Sequence, residues 1–473
     1  MTMRLRGPRR ISESAPFDVP CDDGVLGVRA DGGTLVTVLG VRPGPPVPVR
    51  ATPGWDRSGP HAPADHALPL NCLAQWIIRP EADATTITVL THGTSCWGDG
   101  RPARAYRSLL GPLSVAAHRA VYVVVRFEPM RCPSAVARHG AGPAAALAAC
   151  LSANRRILAL MRGHGVPATP LTAAQITDVA GRLTEGVEPS SATAEPDLLR
   201  TGRVVCTTSA IDAPNAARTE ELLESAWLPD ALSATWALTL HPRPGGTRVS
   251  ALVRGNAFAD TPPPQRPGLT TLTGLQRDAA AATLPVAFPA GFTPPMLVPA
   301  AARDLLAHGR LPIAGAGQLI GADADGVPVT LPMAGPQVPR SAVSGDFEFV
   351  AQTVTRLVAL GVSASIDTGR PERWASLIDA VGDPAALTFS GVGAQVVVDD
   401  RAGRWEEANG PGTVLRVCED SPDDESDDRP TLRQDPHDPA YATARAGGRT
   451  IRVRLVSTPA ETALTRAASP ALR

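Results

Sequence analysis

The clearest feature of the hydrophobic pattern is an apolar, largely β-branched run between Arg119 and Arg126. Such a run is typical of a strand that is buried on both faces. The Glu128-Pro129 step ends the run, and Pro143 then stands where a long helix would begin. A buried strand that leads into a helix predicts the middle of an α/β layer.

Periodicity predicts further elements on both sides of this strand. The turn Asp31-Gly32-Gly33 indicates a hairpin of two strands within residues 25–41. After the strand, apolar residues at helical spacing predict a helix that ends at Gly163, and Thr172 is placed to cap the next one. The other elements expected before residue 257 are helices at 68–78, 173–183 and 220–227, and strands at 85–90, 204–210, 234–241 and 247–254.

The pattern resumes after a proline-rich stretch. The apolar face from Phe347 to Leu360 predicts a helix, and Pro371 is placed to start a second one. Because strands are expected around these helices, this part is predicted to form a β-α-β arrangement. The strands are predicted at 362–366, 386–389, 394–398 and 450–456.

We therefore expect an α/β fold: mixed sheets flanked by helices, two α/β subdomains and a disordered acidic C-terminal segment at 419–428. The expected divisions are a basic N-terminal segment at 1–20, an α/β domain at 21–256, a proline-rich linker with a short helix at 257–300, a second α/β region at 301–400 and a largely disordered tail at 401–473.

Composition narrows the function classes. The net charge of the 473 residues is −1, which gives no reason to expect a nucleic-acid partner. The chain contains no lysine, which excludes every lysine-based mechanism. Its seven cysteines form no C-x-x-C pair, which argues against a zinc ribbon and fits a reducing cytoplasm. Neither a membrane span nor a signal peptide is visible, so we expect the chain to be soluble as written.

Two motifs that suggest chemistry have simpler structural interpretations. Asp367-Thr368-Gly369 is the catalytic triplet of aspartic proteases, but Pro371 follows at once, and we favour an aspartate or threonine that caps the next helix. Residues 315–321 look like a dinucleotide-binding loop. Because Pro328 would break the helix that such a loop requires, we predict a β-hairpin instead.

A third motif leaves an enzymatic alternative open. Residues 91–96 follow a strand, where α/β enzymes often place catalytic loops, and His92 and Cys96 could form a nucleophile pair. No G-x-S-x-G elbow and no third, orienting group accompany them, and loop residues without function are the commoner case. The other histidines lack metal-ligand spacing. We therefore assign no catalytic, cofactor-binding or metal-binding residue.

Several ordered segments resemble EccE, a core component of the type VII (ESX) secretion membrane complex of actinobacteria. The resemblance covers roughly residues 20–385 and involves no catalytic signature. The segments are Gly27-Val28-Arg29 with residues 35–39, the strand from Arg119 to Pro129, Leu171 to Gln175, Ser225 to Leu228, the hairpin into Val253-Arg254, Leu272 to Gln276 with Leu284-Pro285, and Leu311 to Ile313 with Gly317 to Gly321.

The resemblance implies two N-terminal transmembrane helices and a cytoplasmic α/β domain at the periphery of a complex with EccB, EccC and EccD. This chain departs from that pattern, because it begins about where the second transmembrane helix of the family ends. Either its start lies further upstream, or it is recruited without an anchor. Early arginines would suit the cytoplasmic flank of a membrane helix, could touch an anionic leaflet, or could belong to a solvated tail. They are Arg4, Arg6, Arg9 and Arg10.

The leading hypothesis is a non-catalytic component of a type VII secretion complex, peripheral to the cytoplasmic face of the cell membrane. It would assemble or stabilise the translocon through contacts with EccB, EccC and EccD, without a cofactor, a nucleic acid or a small-molecule substrate. The alternative is a soluble α/β transferase or hydrolase with its site near His92 and Cys96.

Overall fold

The computed structural model describes residues 14–22, 24–51, 67–77, 85–185, 187–212, 216–224, 227, 231–243, 246–260, 268–389, 391, 393–401, 412–418 and 428–466. Arg4, Arg6, Arg9 and Arg10 lie outside these residues, and so does all of the acidic segment except Asp428.

The helices and strands below are numbered in chain order. The strands are β1 Phe17–Cys21, β2 Gly24–Asp31, β3 Thr34–Val41, β4 Val49–Arg50, β5 Ala67–Pro69, β6 Thr85–Thr94, β7 His118–Phe127, β8 Ala168–Pro170, β9 Thr193–Ala194, β10 Leu199–Thr201, β11 Val204–Ile211, β12 Ser233–Arg243, β13 Gly246–Phe258, β14 Leu269–Thr271, β15 Arg310–Pro312, β16 Gln318–Ala322, β17 Pro328–Leu331, β18 Arg340–Ser344, β19 Ala364–Thr368, β20 Leu387–Thr388, β21 Val396–Asp400, β22 Thr413–Cys418, β23 Thr431–Gln434, β24 Tyr441–Ala446 and β25 Arg449–Leu455. The helices are α1 Asn71–Ile77, α2 Arg101–Leu110, α3 Pro133–Ala137, α4 Gly142–Gly163, α5 Ala173–Thr184, α6 Ala216–Glu224, α7 Gln276–Ala282, α8 Pro299–His308, α9 Phe347–Ala359, α10 Pro371–Val381 and α11 Pro459–Arg466.

The first sheet is antiparallel and is built from the N-terminal half of the chain. Its strand order is β1-β2-β3-β7-β6-β12-β13-β11-β10-β9, with β8 beside β3 and β14 beside β11. The predicted hairpin is confirmed, because β2 and β3 pair up to Asp31 and Thr34 around the two glycines. Thr172 caps α5 as predicted, in a capping box with Gln175.

The strand β7 lies inside this sheet, between β3 and β6. Val123 and Val125 point into a core that includes residues of α1, α4, α6 and α8. Tyr122 and Val124 point into the core on the opposite face, which includes residues of α5 and α7. The sequence therefore predicted the burial of both faces correctly. An antiparallel sheet can be buried in this way when helices cover it on both sides.

The second sheet is mixed. Its order is β20-β19-β21-β22-β18-β23-β24-β25-β16-β17-β4. In this order every pair from β20 to β23 is parallel, and every pair from β23 to β4 is antiparallel. The predicted helices α9 and α10 connect β18, β19 and β20, so the predicted β-α-β arrangement is present. The expected fold class, mixed sheets flanked by helices, is confirmed.

The two halves of the chain share a core. The helix α2 comes from the first half, but Tyr106 and Cys96 lie among the buried residues of the second sheet. The hydroxyl of Tyr106 accepts a hydrogen bond from the backbone nitrogen of Leu319 at 2.8 Å. The strand β4, which also comes from the first half of the chain, pairs with β17 in the second half. Contacts of this kind cannot be predicted from local periodicity.

Two expectations about organisation need correction. Residues 401–473 are not largely disordered, because β22 to β25 and α11 lie there and complete the second sheet. The strand predicted at 450–456 is confirmed as β25, whereas β22, β23 and β24 are only 6, 4 and 6 residues long and show too little periodicity to be predicted. The proline-rich stretch contains the expected short helix, α7, but Leu272, Ala279 and Leu284 pack into the core of the first sheet. That stretch therefore covers the sheet, although its proline content suggested a linker.

Candidate functional site

A cleft of about 750 Å³ lies between the two sheets. The first sheet contributes residues of β6 and β7 and the end of α5. The second sheet contributes the segments that enter β19 and β21. The aromatic side chains of Trp97 and Tyr122 line the cleft beside His92, Arg182 and Glu185. A cleft of this size with a few convergent polar groups is typical of a binding site.

The pairing of strands places a polar row beside this cleft. His92 on β6 lies opposite Thr235 on β12, and Thr235 lies opposite Arg254 on β13. Residues that are directly opposite on adjacent strands present their side chains on the same face. Accordingly, Nδ1 of His92 lies 2.9 Å from Oγ1 of Thr235, and Nη2 of Arg254 donates to the same hydroxyl at 3.3 Å.

Glu185 completes the row from the end of α5. Its backbone is in the left-handed region, with φ 47°, and its Oε1 lies 3.6 Å from Nε2 of His92. The other carboxylate oxygen accepts a hydrogen bond from Nδ2 of Asn256 at 3.1 Å. Arg254 donates to the backbone oxygen of Leu183 in the same turn. The strands thereby hold the end of α5 in place.

The position of the ring hydrogen on His92 follows from these contacts. Since Arg254 donates to the Thr235 hydroxyl, that hydroxyl has its own hydrogen to donate to Nδ1 of His92. We therefore assign the ring hydrogen to Nε2, which faces Glu185. Burial lowers the pKa of His92 to about 3, and the positive charges of Arg254 and Arg182 act in the same direction. Burial also raises the pKa of Glu185.

These properties favour binding over proton transfer. General acid–base catalysis works best when the pKa of the catalytic group lies near the working pH. The pKa of His92 lies far below neutrality, so its imidazole stays uncharged and is a weak base. The cleft therefore presents a fixed set of donors and acceptors. No local sequence signal points to Glu185, Arg254 or Asn256, because strand pairing and the position of the end of α5 bring them to His92.

Cys96 does not join His92. Its thiol is buried in the core of the second sheet and donates to the backbone oxygens of Ala103 and Ala359, at 3.4 Å and 3.2 Å. Burial raises the pKa of this thiol to about 11. A cysteine nucleophile reacts as the thiolate. The two residues of the enzymatic alternative therefore have separate surroundings, and the sulfur is held in its unreactive form.

Arg126, which follows the apolar run in the sequence, is buried. Its side chain is 1% exposed. Its guanidinium donates to the backbone oxygens of Val286 and Leu284, at 2.6 Å and 2.8 Å, and to the hydroxyl of Thr88 at 2.6 Å. The group also lies over the ring of Phe288. Arg126 therefore ties the segment after α7 to the sheet and is directed away from solvent.

Asp367-Thr368-Gly369 belongs to a structural network. The cap residue of α10 is Arg370, without a side-chain cap, so the prediction that Asp367 or Thr368 caps this helix is wrong. The hydroxyl of Thr368 instead accepts from the backbone nitrogen of Arg370 and donates to the buried Asp400. Arg370 also binds Asp400, at 2.7 Å. The predicted hairpin at residues 315–321 is confirmed by the pairing of β16 with β17.

Two further searches concern metals and membrane spans. Among the described residues, no group of three or more His, Cys, Asp or Glu side chains could hold a metal ion. In the same residues, α4 is the one helix long and apolar enough to cross a membrane. Ile157, Leu158 and Met161 on its inner face pack into the core of the first sheet, as in the core helix of a globular domain.

Comparison with known proteins shows similarity to one family over part of the chain. Residues 115–211 match the family described as the type VII ESX secretion system translocon, EccE. This part of the chain runs from β7 to β11. The chain is also 27% identical over 278 residues to the ESX-5 secretion system protein EccE5 of Mycobacterium marinum. That match covers 55% of this chain, and the chain spans 64% of the length of that relative.

The two comparisons agree with each other and with the motifs in the sequence. The resemblance to EccE is therefore confirmed: residues 115–211 match the EccE family, and over 278 residues the chain is similar to EccE5.

Proposed function

We propose that this chain is a non-catalytic component of a type VII secretion membrane complex. It acts at the cytoplasmic face of the membrane and contacts components of the EccB, EccC and EccD types. The observation that carries the proposal is the family match over residues 115–211, which includes the central strand β7 and the helices α4 and α5. The matched segment is therefore a structural part of the first sheet.

The surroundings of His92 and Cys96 support a role without catalysis. The thiol of Cys96 is buried and protonated, and His92 is a weak base held by Thr235. Neither residue has the environment of a nucleophile or of a general base at neutral pH. The chemistry available at the cleft is hydrogen bonding and apolar contact, which suits recognition of another protein.

The free cysteines support a cytoplasmic location. All seven are described, and none forms a disulfide. Five of them are buried. Cysteines that persist as thiols are typical of proteins in a reducing compartment.

Secretion by the organism that carries this chain tests the proposal. Deleting the gene should abolish export of the substrates of its type VII system, and the intact gene should restore it. The variants His92→Gln and Cys96→Ser should restore export as well, because the proposal gives these side chains no chemical role. Restoration by the intact chain together with failure of both variants, at normal protein levels, would instead favour an enzyme.

A further inference from the structure

One corner of the cleft between the two sheets is rich in hydrogen-bond donors. Tyr122, Arg182 and His92 line this polar corner together with Glu185. Nη2 of Arg182 donates to the hydroxyl of Tyr122 at 3.4 Å, so that hydroxyl keeps its own hydrogen to donate. Arg182 is exposed in the last turn of α5 and has further N–H groups in its guanidinium. Two of the side chains in the corner can therefore still donate hydrogen bonds.

His92 adds a third donor. Its Nδ1 lies beside the hydroxyl of Thr235, and its Nε2 carries the ring hydrogen. Oε1 of Glu185 lies 3.6 Å from Nε2, which is too far for a hydrogen bond. Within the described part of the chain, no side chain accepts from this N–H or from the hydroxyl of Tyr122. The corner is thus prepared for a group that accepts several hydrogen bonds at once.

The charges around the polar corner favour an anion with a single charge. Besides burial, the positive charges of Arg254 and Arg182 lower the pKa of His92, so positive charge dominates at its ring. Among the described residues that line the cleft, Glu185 is the single carboxylate. One of its oxygens accepts from Asn256, and its charge would repel a doubly charged phosphate. A carboxylate, with one charge and two accepting oxygens, matches the three donors better.

Beyond the polar corner, the cleft offers apolar and amide surfaces. Trp97 is 43% exposed and lines the cleft with Pro43 and Pro336. The amide side chains of Gln337 and Gln395 are exposed on the wall that the second sheet contributes. Apolar side chains of a peptide would cover the indole, and its backbone groups would hydrogen-bond with the amides. A fatty acid would offer these amides no partner, so the walls favour a peptide.

We propose that the cleft binds the C-terminal residues of a partner protein. The terminal carboxylate accepts hydrogen bonds from His92, Tyr122 and Arg182. Apolar side chains that precede it pack against Trp97. Capture of a terminal carboxylate is a recurring mode of peptide recognition. This inference rests on the proposed function, which is contact with other secretion components, and names the chemistry of that contact.

Peptide retention by the immobilised full-length chain tests the proposal. The probe is a pool of synthetic pentapeptides that end in leucine, valine or phenylalanine with a free carboxylate, and the comparison pool is identical but amidated. Mass spectrometry should find at least about tenfold more of the free-carboxylate pool in the retained fraction, since an amide lacks the charge that strengthens these hydrogen bonds. Equal retention of the two pools, or retention of neither, would overturn the proposal.

Two variants and a matched control locate the contact. Arg182→Gln should lower the ratio of retained free-carboxylate to amidated peptide about tenfold, and Tyr122→Phe should lower it about threefold. The control is Arg303→Gln, which removes an exposed arginine of α8 outside the lining of the cleft and should leave the ratio unchanged. Equal losses in Arg182→Gln and Arg303→Gln would refute the assignment to the polar corner.

His92 allows a conservative and a non-conservative replacement. Glutamine carries N–H donors on a side chain that reaches the position of Nε2, so His92→Gln should retain the peptides. His92→Leu removes the donor and should lower the same ratio about threefold. Equal losses in the two variants would contradict the assigned donor. Circular dichroism and the thermal midpoint show that each variant is folded, and the comparison of the two pools on the unmodified chain needs no variant.

Further outcomes separate this inference from its alternatives. If the chain binds decanoate and retains neither peptide pool, the ligand is an acyl carboxylate and the peptide proposal is wrong. If peptide retention fails while the chain still co-purifies with secretion components, this inference fails and the proposed function stands. Retention of the free-carboxylate pool without such co-purification would remove the proposed function and support the assignment of the cleft.

Discussion

At the residue scale, buried charges and buried polar rows are the least predictable part of this chain. Arg126 reads in the sequence as the end of a strand, yet it is directed inward to Val286 and Leu284. Burial lowers its pKa to about 9, which still leaves it charged at neutral pH. Its partners lie about 160 residues away, so no local pattern could reveal them.

Replacing Arg126 with methionine should destabilise the fold. Methionine fills much of the same space but leaves two backbone oxygens and the Thr88 hydroxyl without their donor. We expect the free energy of unfolding to fall by about 2–5 kcal/mol, as measured by urea denaturation. The exposed Arg433→Met should change it by less than about 0.5 kcal/mol. Equal stability of the two variants would show that the buried contacts of Arg126 contribute little.

His92 gives a pH dependence with a definite sign. Its pKa is about 3 in the folded chain and near 6.5 in an unfolded one, so between these values only the unfolded chain binds the proton. Above pH 6.5 the neutral His92 therefore contributes its whole share of the free energy of unfolding. Below pH 6.5 this contribution falls by up to about 1.4 kcal/mol for each pH unit.

The variant His92→Gln should remove this part of the pH dependence. Between pH 7 and pH 5 we expect it to lose up to about 2 kcal/mol less stability than the unmodified chain, as measured by urea denaturation at each pH. The control is His308→Gln, since the side chain of His308 is 68% exposed and its surroundings change little on unfolding. A His92→Gln chain with an unchanged pH slope would contradict the burial of a neutral imidazole.

At the element scale, the long amphipathic helices and strands were predictable; of the C-terminal strands, β25 was predicted at 450–456 and β22 to β24 were not. The regular apolar face of α9 and the capping residue of α5 are local signals, and both helices are present. The strands β23 and β24 lack such a signal. They belong to the sheet because β18, from a distant part of the chain, pairs with β23, and β24 pairs with β23 and β25.

A buried ion pair joins the helix α11 to α9. Glu461 accepts from Nε and Nη2 of Arg356 at 2.7 Å and 2.9 Å, and both side chains are at most 3% exposed. Arg356 also donates to the backbone oxygens of Leu319 and Val456. This arginine therefore joins α9, β16 and the segment before α11.

Removing the charge of Glu461 should loosen this junction. We expect Glu461→Gln to lower the free energy of unfolding by about 3–5 kcal/mol, because it leaves a buried guanidinium without its counter-charge. Glu348→Gln is the matched control: Glu348 pairs with Arg466 at the surface, and its loss should cost less than about 1 kcal/mol. Urea denaturation of the two variants measures the loss in the free energy of unfolding for each. Similar costs would show that α11 is not held by this pair.

At the scale of the whole molecule, sequence reasoning predicted the fold class and the resemblance to EccE but not the candidate site. The order of weak motifs was sufficient to indicate EccE, and the family match over residues 115–211 agrees. The cleft is assembled from β6, β7, α5 and the second sheet. A site between two sheets depends on how the sheets pack, which the pattern within each element does not contain.

The central claim is membership of a type VII secretion complex, and affinity purification from membranes tests it most directly. A tagged chain is expressed from its own locus, the membranes are solubilised in mild detergent, and the purified material is quantified by mass spectrometry. The account predicts that components of the EccB, EccC and EccD types are recovered in fixed ratios and that the tag alone recovers none. Recovery of the tagged chain without any of these components, from cells that secrete normally, would contradict it.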